Sequence, residues 1–205
     1  MCVSVEEDDR PEELRWRTCV HEAAHVLIDV INFGPEDVFA RTVKMQGSFG
    51  MSVRTNTAHP EGTVGEYRKR LEVMLAGRTG EQVMFGGASH GSGGTRGSDL
   101  PRATAMACAM IGSFGLAGPT PLTYLGTPRD AAEFLAFTEV RAAVDRELSG
   151  VAQSCASKLK KNRHVLEAVA RRLAQHGRID GVEVAALLAG RGRKSPLAKA
   201  SPAAP

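Results

Sequence analysis

Residues 21–25 read His-Glu-Ala-Ala-His, and their types and spacing are those of a metal centre. The surrounding residues 14–31 predict a helix, on which two histidines four positions apart project from one face, about 6 Å apart along the axis. Neutral imidazoles at that spacing can share one tetrahedral zinc ion. Glu22 follows the first histidine directly, so its carboxylate can reach a metal-bound water without binding the metal. The pattern is that of zinc hydrolases, with His21 and His25 as ligands and Glu22 as general base.

A zinc hydrolase centre needs one more protein ligand and leaves a position for water. Two downstream carboxylates are candidates: Asp99, at the predicted start of a helix, and Glu81, inside the predicted helix before it. Simpler interpretations exist for both parts of the site. A histidine on an apolar helix face is often a core residue, and a carboxylate at a helix start often accepts hydrogen bonds from free N–H groups. These residues alone leave the third ligand open.

The elements that must position these side chains give a mainly α fold with a small β-hairpin. Residues 38–45 and 51–54 are β-prone and flank a turn, which predicts a hairpin or a pair of short strands. The second helix is predicted from Thr63, where Glu66 three residues later completes a capping-box pattern. It runs to about residue 85.

Two glycines, Gly77 and Gly80, lie inside this second predicted helix. Each costs about 1 kcal/mol of helix propensity relative to alanine. Close packing of the helix against another backbone would account for both.

The remainder of the chain is also predicted to be helical. A third helix is expected from Asp99 to about Phe114, and two or three more from about residue 128 to residue 188. The expected interruptions in this last stretch are Ser149 with Gly150, Asn162 and Gly177. Residues 10–190 then form one domain, whose helical C-terminal half begins near residue 128. Residues 1–9 are expected to be a flexible N-terminus and residues 191–205 a disordered basic and Pro/Ala-rich tail.

Composition limits the class of protein. The chain has 205 residues and a formal net charge of +3, which is too weak to indicate a nucleic-acid partner. No stretch approaches the roughly 18–20 apolar residues of a membrane span. The acidic residues 1–10 are no signal peptide, and the four cysteines lack C-x-x-C spacing. These features predict a cytoplasmic protein with reduced thiols, in which Cys19 is a core residue and not a ligand.

Residues 86–98 contain six glycines in thirteen positions and predict a mobile surface loop, a flap beside the active site. The phosphate-binding pattern G-x-x-x-x-G-K-[ST] is absent from the sequence. His90 in this loop is expected to be exposed to solvent and not to bind metal.

The order and spacing of these motifs resemble the peptidase domain of the FtsH family of ATP-dependent zinc metalloproteases. The likeness covers residues 14–188 and is carried by six segments: residues 21–25, 42–50, 75–86, 98–104, 162–163 and 178–181. The resemblance implies zinc as cofactor, His21, His25 and Asp99 as its ligands, Glu22 as catalytic base and Glu81 as a second-shell partner of a ligating histidine. The domain is therefore expected to be a zinc metallopeptidase.

The resemblance also implies how substrate and partners bind. The segment of Val43, Lys44 and Met45 corresponds to an edge strand on which the family binds extended substrate by β-addition. A ring of six subunits is implied, and a separate AAA ATPase would be needed to deliver folded substrates. Ala24 and Ser98 depart from the family, which usually has Gly and Asn there.

The predicted function is hydrolysis of peptide bonds in unfolded or delivered polypeptides, with Glu22 activating a zinc-bound water. The main alternative is a peptidase-like module that binds polypeptides beside a separate ATPase without cutting them. A structural zinc site is disfavoured because it would normally have four protein ligands and no fourth is evident. Nucleic-acid binding through the basic tail is disfavoured because no recognition motif accompanies it.

Overall fold

The computed structural model describes residues 9–42, 50–55, 62–94, 97–127 and 131–190. Its helices are α1 (Glu12–Phe33), α2 (Val64–Phe85), α3 (Asp99–Cys108), α4 (Ala131–Leu135), α5 (Thr138–Lys161), α6 (Arg163–His176) and α7 (Gly181–Leu188). Its strands are β1 (Val38–Arg41), β2 (Met51–Arg54) and β3 (Arg178–Asp180). The mainly α class is confirmed. The expectations for residues 1–8, for Val43, Lys44 and Met45, and for residues 191–205 lie outside the described residues.

Helix α1 is the central element of the fold. Glu12 and Glu13 occupy its first turn, where negative charge interacts favourably with the helix dipole. Apolar residues between Cys19 and Val30 are buried, and the helix packs against α2, α6 and β1. Cys19 is part of this core, as expected.

Helix α2 packs closely against α1. Thr63 caps it, because the Thr63 hydroxyl accepts a hydrogen bond from the Glu66 backbone N–H at 3.3 Å. The Glu66 carboxylate does not complete the predicted capping box and bonds Arg70 at 3.1 Å. A Cβ atom on Gly80 would lie 2.5 Å from the Ala24 Cβ. The close packing expected at these glycines is therefore present, and Gly80 makes room for the methyl group of Ala24.

The sheet has the strand order β2-β1-β3, with both pairings antiparallel. The predicted pair of strands is present, with Ala40 opposite Ser52. The third strand differs from expectation, because the sequence predicts that residues 178–180 belong to a helical stretch. A strand of three residues is too short to show a period, and it forms here because Ile179 pairs with Ala40 and is buried.

The C-terminal helices differ from expectation at one interruption. Helix α5 continues through Ser149 and Gly150, so the break predicted there is wrong. Val144 and Val151 on either side are buried, and burial of this face outweighs the helix propensity that one glycine costs. The interruptions at Asn162 and Gly177 are confirmed, and Gly177 takes the left-handed conformation, with φ of +67°, that ends α6.

Helix α3 is α-helical only to Cys108, whereas a regular helix to Phe114 was expected. Residues Ala109–Ser113 form a π-helical segment, in which the Phe114 N–H donates to the Ala109 carbonyl at 2.9 Å. The Leu125 N–H donates to the Gly112 carbonyl at 2.8 Å, so the following loop bonds back to this segment.

Two hydrophobic clusters form the core. One surrounds α1, α6, α7 and the sheet, and the other surrounds α3, α4 and the π-helical segment. Helices α2 and α5 contribute to both clusters, so the two clusters are parts of one packed body. None of the helices in the described part of the chain is long and apolar enough to cross a lipid bilayer.

Candidate metal centre and active-site cleft

Four of the polar side chains on α1 that line an open cleft lie at a regular spacing: Arg17, His21, His25 and Asp29. They are four residues apart in sequence, so the 3.6-residue period places them along one face of the helix. Strand β2 and the first turn of α2 contribute further lining residues, and the start of α3 closes one end.

The structure brings the two histidines of this stripe together with Asp99. The Asp99 Oδ2 atom lies 3.0 Å from His21 Nε2 and 3.2 Å from His25 Nε2, and the two Nε2 atoms are 3.1 Å apart. Gly77 on α2 makes the space, because a Cβ atom there would overlap the imidazoles of both histidines. The side chain of Asp99 therefore faces the two rings and does not cap α3.

The hydrogen bonds of the other ring nitrogens fix which atoms face the cleft. His21 Nδ1 lies 2.9 Å from Glu81 Oε1, and His25 Nδ1 lies 2.7 Å from the carbonyl of Val73. Carboxylates and carbonyls are acceptors, so both Nδ1 atoms must carry the proton. When both rings are neutral, each Nε2 atom presents a lone pair towards the carboxylate of Asp99, and a metal cation among these three atoms would bind all of them. Without a metal, a proton on Nε2 can bond the carboxylate instead.

The three atoms suit a zinc ion in spacing and in chemistry. Bonds of about 2.0–2.2 Å to imidazole nitrogen and carboxylate oxygen give tetrahedral edges of roughly 3.3 Å. The three observed separations of 3.0, 3.1 and 3.2 Å are close to that value. Two imidazoles and one carboxylate are also a ligand set that catalytic zinc sites use.

The protonation equilibria show how strongly this cluster attracts positive charge in the absence of a metal. Burial by itself would lower the pKa of His21, but hydrogen bonds to Asp99 and Glu81 and the charge of Glu22 outweigh it and raise the pKa to about 10. Burial would raise the pKa of Asp99, but its hydrogen bonds to His21 and His25 hold that pKa well below its usual range.

Glu22 lies beside this cluster in a buried position, with 7% of its surface exposed. Burial raises its pKa above the usual value, although the charges of His25 and His21 oppose the shift. Its carboxyl group packs against Gly50, the residue before β2, where an added Cβ would lie 2.5 Å from Glu22 Oε1. A carboxylate that borders both a cation site and an open cleft is placed to exchange protons with a molecule bound in the cleft.

Glu81 is the acceptor for several groups behind the metal centre. Besides His21, Arg17 Nη1 donates to Oε2 at 2.8 Å, and Ser89 donates through its backbone N–H at 2.7 Å and through its hydroxyl at 3.1 Å. These bonds outweigh the effect of burial and lower the pKa of Glu81 to about 2. An ionised Glu81 therefore holds His21 in one tautomer and ties the glycine-rich loop to α2.

Of the remaining residues named from the sequence, His90 lies as expected and the others lie outside the described residues. His90 is exposed, as expected, although it lines the cleft. Val43, Lys44 and Met45 lie outside the described residues, and β1, which precedes them, is paired on both sides. Among the strands of the described residues, β2 lies at the edge of the sheet and borders the cleft.

Sequence reasoning missed several residues of the site: Arg17, Asp29, Gly50, Arg54 and Ser89. Arg17 and Asp29 carried a signal, because they extend the four-residue spacing of the histidines by one turn in each direction. The other residues lie on strands or loops, where no local pattern relates them to the helix.

A family model supplies the first comparison with known proteins. The model of peptidase family M41 matches residues 10–187. The chain belongs to this family. The FtsH-type resemblance predicted from the motifs is thus confirmed, and the M41 family is one of zinc metalloproteases.

Curated relatives agree with this assignment. The M41 chain is 30% identical over 180 residues to "ATP-dependent zinc metalloprotease FtsH" of Syntrophobacter fumaroxidans, covering 80% of this chain and 27% of the relative. It is 30% identical over 186 residues to "ATP-dependent zinc metalloprotease FtsH 2" of Symbiobacterium thermophilum, covering 87% and 31%. The chain therefore spans less than a third of the length of these curated relatives.

Proposed function

We propose that this chain is a zinc-dependent endopeptidase that hydrolyses peptide bonds in unfolded or delivered polypeptides. The observation that carries the proposal is the meeting of His21, His25 and Asp99 at 3.0–3.2 Å beside the buried carboxyl of Glu22. Metal ligands without a neighbouring base would serve a structural site equally well. A base beside the ligands, in the wall of an open cleft, can activate water for attack on a bound substrate.

His21, His25 and Asp99 would hold the zinc ion through Nε2, Nε2 and Oδ2. When bound, zinc supplies a Lewis acid that polarises a carbonyl and lowers the pKa of a coordinated water towards ~7. Glu81 and the Val73 carbonyl keep the two imidazoles in the ligating tautomer by accepting from Nδ1–H. Glu22 accepts the proton of the attacking water and passes it to the departing amine.

Substrate is proposed to bind as an extended segment along β2. Strand β2 pairs with β1 on one side, and its other side borders the cleft. An edge strand offers unpaired N–H and C=O groups, to which a peptide can add as a further strand. Because Gly50, the residue before β2, touches Glu22, such a peptide would pass directly by the proposed base.

The test is the variant Glu22→Gln, which keeps the size of the side chain and removes its basicity. We expect zinc content equal to that of the wild type and a loss of unfolded-casein cleavage of about a hundred- to ten-thousandfold. Glu167→Gln is the matched control on α6, where the half-exposed carboxylate pairs with Arg171, and it should cleave normally. Undiminished cleavage by Glu22→Gln would refute the proposed role.

The relatives are named ATP-dependent, and we propose that an ATPase module delivers folded substrates to this domain as well. Adding a chelator to the wild type distinguishes the peptidase hypothesis from that of a module that binds polypeptides without cutting them. Chelator-sensitive cleavage supports the peptidase. Binding of unfolded casein by zinc-loaded wild type without any cleavage would favour the adaptor function instead.

A further inference from the structure

The polar stripe of α1 continues one turn beyond the metal centre, to Asp29. This carboxylate is buried, with 6% of the residue exposed, and it lies in the wall of the cleft. Its partner is Arg54, the last residue of β2, whose Nε donates to Asp29 Oδ1 at 2.7 Å. An ion pair between a buried carboxylate and a half-buried guanidinium thus joins the helix that carries the histidines to the strand at the cleft edge.

Arg54 uses its other donors on the chain that follows α1. Its Nη1 donates to the Glu36 carbonyl at 2.7 Å and its Nη2 to the Gly34 carbonyl at 2.8 Å. The guanidinium also lies over the ring of Phe33, 5.6 Å from the ring centroid. Since these acceptors approach from several directions, they hold the planar group, and the strand end that bears it, in one orientation.

The other end of β2 is fixed against the proposed base. Gly50 packs so closely on Glu22 that a methyl group at residue 50 would lie 2.5 Å from the carboxylate oxygen. From Glu22 to Asp29 the helix rises roughly 10 Å at 1.5 Å per residue. From Gly50 to Arg54 the chain advances about 13 Å, four residues at 3.3 Å each, so the strand runs alongside the helix between two fixed points.

From this arrangement we infer that Asp29 and Arg54 are positioning residues, which set the distance between the edge strand and the metal-bearing helix. A peptide added to β2 then has one of its carbonyl groups within reach of the metal centre and Glu22. The inference rests on the proposed peptidase function, and it adds how the register of a peptide on β2 is fixed relative to the metal centre. Neither residue touches the reacting atoms.

A stabilising role alone is a weaker explanation for the pair. A buried ion pair contributes little to stability relative to apolar residues of the same volume, because both charges must be desolvated. The hydrogen bonds of Arg54 to one carboxylate and two carbonyl groups do fix the orientation of its side chain, and with it the end of β2. Positioning of substrate depends on direction, since a displacement of about 1 Å can change a rate a hundredfold.

The test measures peptide binding in the Glu22→Gln background, where bound peptide is not consumed. Arg54→Met keeps an unbranched apolar side chain but is shorter and removes every donor, together with the guanidinium that lies over Phe33. We expect it to weaken the binding of an extended peptide of about eight residues, long enough to cover β2, by about tenfold or more in fluorescence anisotropy. Binding of an acetylated dipeptide amide and the zinc content should stay unchanged. Arg171→Met, which removes an exposed ion pair on α6, is the matched control.

The same pair of peptides gives a kinetic measurement in the protein with Glu22 intact. Arg54→Met should lower kcat/KM for the long peptide by about ten- to a hundredfold and leave it unchanged for the short one. Arg54→Lys, with one ammonium in place of the planar group, should fall between Arg54→Met and the parent. If circular dichroism shows that Arg54→Met is unfolded, the Arg54→Lys comparison decides the question.

Each outcome separates the inference from the function on which it rests. Equal losses for long and short peptides, or a loss of zinc, would show a structural role and overturn the inference. No loss for either peptide would overturn it too, while the peptidase proposal stands. If the parent with Arg54 intact binds zinc but neither peptide, the proposed function fails first and the inference fails with it.

Discussion

Gly77 carries no side chain, and the imidazoles of His21 and His25 occupy the space that a methyl group would fill. At the scale of single residues, position 77 is therefore one at which the metal centre has no room for a side chain. Both rings are already held through Nδ1, so they cannot rotate away without losing a buried hydrogen bond.

Gly77→Ala is therefore expected to weaken zinc binding by about tenfold or more, as changes behind a metal ligand commonly do. The measurement is a zinc titration against a competing chelator, with circular dichroism to verify the fold. Alanine is otherwise the better helix former by about 1 kcal/mol, so the α2 helix itself should not suffer. A Gly77→Ala protein with wild-type zinc affinity would contradict this close packing of Gly77 on the two imidazoles.

At the scale of elements, a polar cluster around the buried carboxylate of Glu72 joins three helices. Glu72 on α2 accepts from Asn32 on α1 at 2.8 Å and from Ser154 on α5 at 2.6 Å, and it forms an ion pair with Lys158. Burial would raise the pKa of Glu72, but these hydrogen bonds outweigh it and hold the pKa below its usual value of 4.5. The cluster therefore stabilises the fold only while Glu72 is ionised.

The sign of the resulting pH dependence follows from this lowered pKa. The contribution is fully present above pH 4.5, and it is lost as the pH falls below 4.5 towards the pKa of folded Glu72. Glu72→Gln should lower the free energy of unfolding by about 1–2 kcal/mol at pH 7, and by less at pH 3. Urea unfolding of both proteins at the two pH values measures the difference. A gap that is constant or grows on acidification would be incompatible with an ionised Glu72.

Helix α5 offers a second test at the same scale, at the glycine that was expected to interrupt it. Gly150 is exposed, and an added Cβ would meet no atom within 4 Å. Gly150→Ala should raise the free energy of unfolding by about 0.5–1 kcal/mol, because it restores helix propensity without a clash. The variant also serves as the matched control for Gly77→Ala. Destabilisation in urea would indicate that the helix is broken at this residue.

At the scale of the whole molecule, the cysteines report whether the two hydrophobic clusters unfold together. Cys155 belongs to the first cluster and Cys108 to the second, and both are fully buried. Burial raises the pKa of Cys108 to about 11 and, together with the charge of Glu72, that of Cys155 to about 12. Neither thiol is reactive in the folded protein near neutral pH, because the thiolate is the nucleophile.

In a Cys2→Ser background, we expect both thiols to be protected from a thiol reagent and to become reactive at the same urea concentration. The physical reason is that α2 and α5 contribute to both clusters, so one cluster cannot open while the other stays packed. Mass spectrometry of labelled peptides gives the midpoint for each cysteine. Separate midpoints would divide the molecule into two independently unfolding parts.

Across the whole molecule, the features that could be predicted from sequence are those that depend on residues close together in the chain. The spacing of His21 and His25, the cap at Thr63 and the helix end at Gly177 each depend on residues within one or two turns. Strand β3 and the continuity of α5 through Gly150 depend on contacts with distant elements, and both were predicted wrongly. Local patterns report propensity, which such contacts override.

The amino-acid sequence by itself determined the chemistry available to this protein: two imidazoles on one face of a helix, with a carboxylate beside the first. That much is fixed by the helical period. The tertiary structure decided which distant acid joins them, because Asp99 is 78 residues from His21 and reaches it only through the packing of α1, α2 and α3. It also decided that β2 borders the cleft and that Arg54 holds it to Asp29. Those relations depend on the direction in which separate elements meet, and no periodicity along one segment encodes that direction.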